Sequence, residues 1–203
     1  MKRGEKMNIS NRIIQLAQEN NGIITTAQIT ANGIYRGNLK KLVDSGKLEK
    51  TERGVYILPE IWEDEFVNLQ GRFKKGIFSN ETALFLWDLT DRTPNKFNMT
   101  FPKNYNLTNA KNEGVMCTAS KKEWYEEGKV MVKSPSGHTV NAYCMERTLC
   151  DIIRNRQGVD LGVIKEAYKQ YVSRKDKNLP LLSIYAKQFK IEDKVRRYVE
   201  VLI

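Results

Sequence analysis

Residues 22–58 have the sequence GIITTAQITANGIYRGNLKKLVDSGKLEKTERGVYIL, and this stretch decides the fold of the N-terminal part. Residues 23–24, both isoleucine, predict a short strand. Thr25 and Gln28 have the spacing of a capping box, which opens a second, short helix. The dipeptide at 32–33, Asn-Gly, predicts the turn that ends it.

A third helix is predicted from about Tyr35 to Ser45, ending at Gly46, a residue suited to the left-handed conformation after a helix. At about 100 degrees per residue, its side chains divide into two faces. The apolar face contains Tyr35, Leu39, Leu42 and Val43, and the opposite face contains Gly37, Lys40, Lys41 and Asp44, flanked by Arg36 and Asn38.

Two strand-like runs follow, residues 48–51 and 55–58, separated by the loop Glu52-Arg53-Gly54, whose glycine suits a hairpin with a bulge. Upstream, Ile9, Ile13, Leu16 and Ala17 recur at helical spacing and predict the first helix. The order helix, strand, helix, helix, hairpin is typical of a winged helix-turn-helix, here from Asn8 to Leu58.

A winged helix binds double-stranded DNA by placing its third helix in a major groove about 12 Å wide while the wing reaches the backbone. We therefore assign DNA contacts to the polar side chains of the second and third helices and the wing tip, namely Gln28, Arg36, Asn38, Lys40, Lys41 and Arg53. Two alternatives stay open. The charges could only solvate an exposed face, or the domain could bind protein alone.

Composition restricts the partners. The 203 residues carry a net charge of +10, which favours a polyanion such as nucleic acid or an anionic membrane. No run reaches about 18 apolar residues and no signal peptide is visible, so we expect a cytoplasmic, soluble protein without membrane contact. The scattered cysteines at 117, 144 and 150 predict free thiols rather than disulfides or a metal clip.

The chain is long enough for two domains. We predict an α+β protein with a winged helix-turn-helix at 1–60, a connecting helix at 61–76 and a mixed C-terminal domain at 77–203. Ten Lys and Arg against six Asp and Glu give the first 60 residues a charge of +4, which leaves +6 for the rest. The C-terminal domain is therefore basic in its own right.

The C-terminal domain is predicted to begin with a helix capped by Ser79 or Asn80. Period-two alternation at 97–101, 130–132 and 140–143, with a turn at 134–137, then predicts a small, mostly antiparallel sheet. From residue 145 onward the pattern predicts four helices.

The residues offer little chemistry. Asp88 and Asp91 lack the Gly-Ser and Asp-x-Asp arrangement of nucleotidyltransferases, and they favour capping and turn formation. His138, the sole histidine, is in a predicted turn, and Cys150 has no histidine base nearby in the chain. We expect no enzyme activity, no metal and no cofactor.

Taken together, the chain resembles the AbiEi-family antitoxins of bacterial abortive-infection systems. The resemblance covers nearly the whole length and depends on three stretches: residues 22–58 above, SNETALFLWDLTDRTPNKFNMTFP at 79–102 and ERTLCDIIR at 146–154. It implies an autorepressor whose winged helix binds operator repeats, and a C-terminal domain that counteracts a nucleotidyltransferase-like toxin. The family is described as type IV, so the toxin would be a functional partner rather than a stably bound one, in phage defence.

The excess of charge in the C-terminal domain suggests an antitoxin surface. At helical spacing Arg147 and Arg154 share one face, and Lys165 and Lys169 share another. These basic stripes could bind nucleic acid or a phosphorylated component of the toxin's pathway, or could be solvated faces. Two other functions remain open: a plain repressor whose C-terminal domain dimerises or senses a ligand, and an enzyme targeted to DNA.

Overall fold

The computed structural model describes residues 8–59, 64–154 and 158–200. The chain divides into two compact units, residues 1–72 and residues 73–203. Both units combine helices with a small sheet. None of the described helices is long and apolar enough to cross a membrane.

The first unit contains four helices and three strands within its described residues. In chain order they are α1 (Ile9–Glu19), β1 (Ile23–Thr25), α2 (Thr26–Ala31), α3 (Gly37–Asp44), β2 (Glu49–Glu52), β3 (Val55–Ile57) and α4 (Glu65–Arg72). The order predicted from the sequence through β3 is confirmed. Of the predicted connecting helix, residues 61–63 lie outside the described residues, and α4 falls within the first unit.

The first sheet has the strand order β1-β3-β2, with antiparallel neighbours. The β2–β3 register shifts between Lys50 and Glu52, and Gly54 has a φ of 81°, so the predicted bulged hairpin is confirmed. The core lies between this sheet and α1 to α3. Its fully buried side chains are Ile13, Ala17, Ile24, Ile29, Leu39, Leu42, Leu48 and Ile57.

The second unit has a sheet flanked by short helices, followed by a group of longer helices. Its elements are β4 (Ile77–Phe78), α5 (Asn80–Leu86), β5 (Asn98–Pro102), α6 (Thr108–Asn112), β6 (Met116–Ser120), α7 (Lys122–Tyr125), β7 (Lys129–Lys133), β8 (Thr139–Tyr143), α8 (Met145–Arg154), α9 (Leu161–Ser173), α10 (Leu179–Gln188) and α11 (Glu192–Glu200). The four predicted C-terminal helices are confirmed as α8 to α11.

The second sheet has the strand order β6-β5-β4-β8-β7. Pairs β4–β5 and β7–β8 are antiparallel, whereas β4–β8 and β5–β6 are parallel. The prediction of a mostly antiparallel sheet is therefore wrong, and the sheet is mixed. Sequence alternation found the β7–β8 hairpin because its strands are neighbours in the chain, but it carries no information on pairings between distant strands.

Helix α8 is the centre of the second unit. It packs against α5, α9, α10 and α11, and every side chain from Met145 to Ile153 is buried. The predicted cap position Ser79 is confirmed, although its hydroxyl accepts a hydrogen bond from Thr100 Oγ1 (3.0 Å) rather than from the helix. The three cysteines are free, as predicted.

Candidate nucleic-acid interface

Helix α2 begins with a complete capping box. The Thr25 hydroxyl accepts a hydrogen bond from the Gln28 backbone N–H (3.2 Å), and Gln28 Oε1 accepts one from the Thr25 N–H (2.8 Å). Gln28 Nε2 also donates to Asn20 Oδ1 (3.0 Å). The Gln28 carboxamide is thus occupied by local partners. Its assignment to DNA remains a prediction that these contacts do not favour.

The turn between α2 and α3 is fixed by side chains on both sides. Arg36 is exposed, and its Nε donates to Thr30 Oγ1 (2.8 Å), which anchors the guanidinium at the start of α3. Asn38 is half-buried, and its Nδ2 donates to the backbone carbonyl of Tyr35 (3.0 Å). Arg36 is therefore presented to solvent, while one end of the Asn38 amide holds the turn.

Three further cations assigned to DNA are exposed. Lys40 and Lys41 lie on the side of α3 away from the buried Leu39 and Leu42, and Arg53 lies at the tip of the β2–β3 hairpin. The structure thus places Lys40 and Lys41 on one helix and Arg53 on the hairpin that follows it. Lysine and arginine side chains in such positions can neutralise phosphates.

Tyr35 is a surface residue, contrary to its predicted place on the apolar face. It is 80% exposed, because α3 begins at Gly37 and Tyr35 precedes the helix. The ring lies over Gly37, where a Cβ atom would clash with it. A glycine two positions after a tyrosine is the only sequence signal of this arrangement, and it is a weak one.

In the second unit, the candidate basic surface is only partly on the surface. Lys165 and Lys169 are exposed on α9. The Arg154 side chain is 27% exposed, and its Nη2 lies 2.8 Å from Asp151 Oδ1. Arg147 is only 1% exposed, so its assignment to an antitoxin surface is wrong.

The partners of Arg147 explain its burial. Its Nε donates to Asp151 Oδ2 (3.2 Å), and its Nη1 donates to the backbone carbonyls of Trp124 and Glu127. The guanidinium carbon lies 3.7 Å from the centre of the Tyr143 ring. A buried arginine with these partners has its charge compensated inside the protein.

The residues considered for catalysis do not come together. Within the described ranges, no three His, Cys, Asp or Glu side chains are placed to hold a metal ion. His138 lies in the β7–β8 turn, where its backbone N–H donates to Ser134 Oγ (3.1 Å), and Asp88 adopts a left-handed φ of 54° in a turn after α5. Burial raises the pKa of the Cys150 thiol, which keeps it protonated near neutrality.

The N-terminal segment matches a known family. A family model described as "Transcriptional regulator, AbiEi antitoxin" matches residues 11–59. Residues 11–59 are therefore similar to the AbiEi antitoxin family. The matched segment extends from α1 through β3, so it contains Gln28, Arg36, Asn38, Lys40, Lys41 and Arg53.

The remaining comparisons add no function to this family match. A solved structure titled "Crystal structure of RV2827C protein from Mycobacterium tuberculosis" has 11% sequence identity to this chain and a TM-score of 0.46. That alignment covers 95% of this chain and 80% of the other. The comparison with curated proteins gave no match.

Proposed function

We propose that the chain is the antitoxin of a bacterial type IV toxin–antitoxin system of the abortive-infection class. Its first unit acts as a winged helix-turn-helix that binds operator DNA, in inverted repeats, and represses its own operon. Its second unit counteracts a nucleotidyltransferase-like toxin without forming a stable complex with it. The observation that carries the proposal is the family match at 11–59, whose segment presents exposed cations on α3 and the hairpin.

The geometry of the first unit supports DNA binding. Helix α3 buries Leu39 and Leu42 and leaves Lys40 and Lys41 exposed, so the helix can enter a major groove with its cations toward the DNA. The β2–β3 hairpin acts as the wing, and Arg53 at its tip contacts a phosphate. Tyr35 joins this surface as an exposed aromatic side chain beside Arg36.

For the second unit, Lys165 and Lys169 remain the candidate antitoxin surface. They lie four residues apart on α9 and are both exposed, so they share one helix face. A basic face can attract nucleic acid or another phosphorylated component of the toxin's pathway. Such an attraction opposes the toxin's effect without requiring a stable toxin complex.

The second candidate function is a repressor whose C-terminal unit senses a ligand. One specific observation favours it. The second unit contains a groove of about 1100 Å³ whose lining includes Arg92, Lys96 and Arg154. In such a repressor, a ligand bound in the groove regulates DNA binding by the first unit, and no toxin is involved.

DNA binding is tested with the variant Arg36→Ala/Lys40→Ala/Lys41→Ala/Arg53→Ala and DNA from upstream of the gene. Losing a base-reading side chain costs roughly 1–3 kcal/mol, and each lost phosphate contact lowers the slope of log affinity against log salt by about 0.9. Fluorescence anisotropy should therefore show weaker operator binding and a shallower salt dependence. The matched control removes four exposed lysines of the second unit, Lys103, Lys122, Lys187 and Lys194. Equal operator affinity for the folded variant and the control would remove the assignment.

A further inference from the structure

The second unit contains a small cavity next to the groove described above. This inner cavity has a volume of about 150 Å³ and is lined by residues that include Asn80, Ser120, Lys121 and Arg154. The neighbouring groove, here called the outer groove, shares four lining residues with it, among them Asn80 and Arg154. The two residues therefore stand at the boundary between the spaces.

Three buried polar atoms of the residues that line the inner cavity have no hydrogen-bond partner within the described ranges: Asn80 Oδ1, Arg154 Nη1 and Asp151 Oδ1, the last of which lies 2.8 Å from Arg154 Nη2 in an ion pair. Buried polar atoms are nearly always paired, because an unpaired one loses its bonds to water without replacement. Because the ion pair compensates Asp151 Oδ1, one acceptor, Asn80 Oδ1, and one charged donor, Arg154 Nη1, remain. A ligand that offers both an acceptor and a hydroxyl donor would satisfy both.

Arg154 is held in place without this ligand. Its Nη2 lies 2.8 Å from Asp151 Oδ1, and its guanidinium carbon lies 4.2 Å from the centre of the Phe189 ring. Asp151 is itself fixed by Arg147 Nε at 3.2 Å. The orientation of the guanidinium is therefore set by its neighbours, which reduces the entropy that a ligand would cost to order it.

The backbone conformation of Asn80 also favours a ligand at this cavity. Its φ of 47° lies in the left-handed region, which asparagine tolerates better than most residues other than glycine. Its side chain nevertheless makes no hydrogen bond through Oδ1 to any described residue. The carboxamide is thus at the cavity without a contact that explains its acceptor.

Charge decides the class of ligand. The inner cavity and outer groove are lined by the cations Arg92, Lys96, Lys121, Arg147 and Arg154 against the anions Glu81 and Asp151. Thr118 and Ser120 add hydroxyl groups to the inner cavity. This combination suits a phosphate, whose oxygens accept from arginine, lysine and hydroxyl donors.

We propose that the second unit binds a nucleoside phosphate, with the phosphate in the inner cavity against Arg154 and Lys121 and the nucleoside in the outer groove. A cavity of about 150 Å³ holds a phosphate group but no nucleobase. The outer groove, at about 1100 Å³, has room for a sugar and base. A sugar hydroxyl donates to Asn80 Oδ1. This site does not depend on the DNA-binding role of the first unit.

The experiment is calorimetric titration of the full chain with the four ribonucleoside 5′-monophosphates, adenosine and inorganic phosphate. A monophosphate should bind, with adenosine and phosphate each at least about tenfold weaker, because each makes only part of the contacts. Asn80→Gly keeps the left-handed backbone and removes the carboxamide. Lys121→Ala and Arg154→Met remove the two cations, and methionine keeps the packing on Phe189.

Each of these three substitutions should weaken nucleotide binding by about tenfold or more. The matched control is Lys122→Ala, which removes an exposed neighbouring lysine that does not line either space. If Arg154→Met fails to fold, the other two variants still decide. The proposal is overturned if no monophosphate binds, or if the three variants bind the monophosphate as tightly as Lys122→Ala does.

Discussion

At the scale of single residues, the ion pair of Arg147 and Asp151 stabilises the second unit from inside. Both side chains are almost fully buried, at 2% and 6% exposure, so each charge depends on the other for compensation. Arg147 also donates to the backbone carbonyls of Trp124, in α7, and Glu127, in the loop before β7. Removing the arginine therefore breaks contacts with α7, with the loop between α7 and β7, and with Asp151 on α8.

We expect Arg147→Met to lower the free energy of unfolding by about 3–5 kcal/mol, the cost typical of breaking a buried ion pair from one side. Urea unfolding followed by tryptophan fluorescence measures it. The double variant Arg147→Met/Asp151→Leu should be less destabilised than the sum of the two single variants, because no lone charge remains. Lys165→Met, at an exposed site, is the control. A loss below about 1 kcal/mol for Arg147→Met would contradict a structural role.

Tyr35 and Arg147 show where helical phase fails as a guide to single residues. Tyr35 precedes the first residue of α3, so the periodicity of that helix does not apply to it, and it is exposed. Arg147 is on a helix that is covered on every side. A charged residue there must be buried whatever its phase, and only tertiary packing reveals it.

At the scale of elements, the sequence predicted correctly those features that interactions between neighbouring residues determine. The capping box at Thr25 and Gln28, the left-handed Gly46 and the bulged hairpin at Gly54 are all confirmed. Strands β4 and β6 were missed. Strand β4 has two residues, too few to alternate, and β6 has no buried residue along it. Strand β4 pairs in parallel with β8, far along the chain, and β6 pairs in parallel with β5 through a crossover that contains α6, so no hairpin signal could predict either pairing.

Helix α2 offers a test that separates capping from DNA contact. Because Gln28 closes the capping box, Gln28→Ala should lower the free energy of unfolding of the first unit by about 0.5–2 kcal/mol. Operator affinity should stay unchanged at temperatures where the protein is folded. Thermal unfolding and anisotropy on the same sample measure both. Gln18→Ala, on the exposed face of α1, is the control. A variant that keeps its stability but loses operator affinity would return Gln28 to the DNA interface.

At the scale of the whole molecule, the two units each have a core of their own. The core of the first unit contains buried residues such as Ile13 and Leu39, and the core of the second unit contains the buried residues around α8. Residues just after 72 belong to the second core. Phe73 is 5% exposed and packs edge-on against Phe101, with ring centres 6.3 Å apart, and the Lys75 carbonyl accepts a hydrogen bond from Tyr125 Oη.

These contacts determine where a functional C-terminal fragment must start. A fragment of residues 73–203 should unfold cooperatively and, if the second unit is the antitoxin, rescue cells that express the cognate toxin from an unrelated promoter. A fragment of residues 77–203 loses the burial of Phe73, worth about 1.5–3 kcal/mol, and leaves the Tyr125 hydroxyl without its acceptor. It should melt at a lower temperature by calorimetry and rescue less well.

Residues 1–72 alone should bind operator DNA and give no rescue. Rescue that requires residues 1–72, when both fragments fold, would contradict this division of labour and place the antitoxin activity in the intact chain.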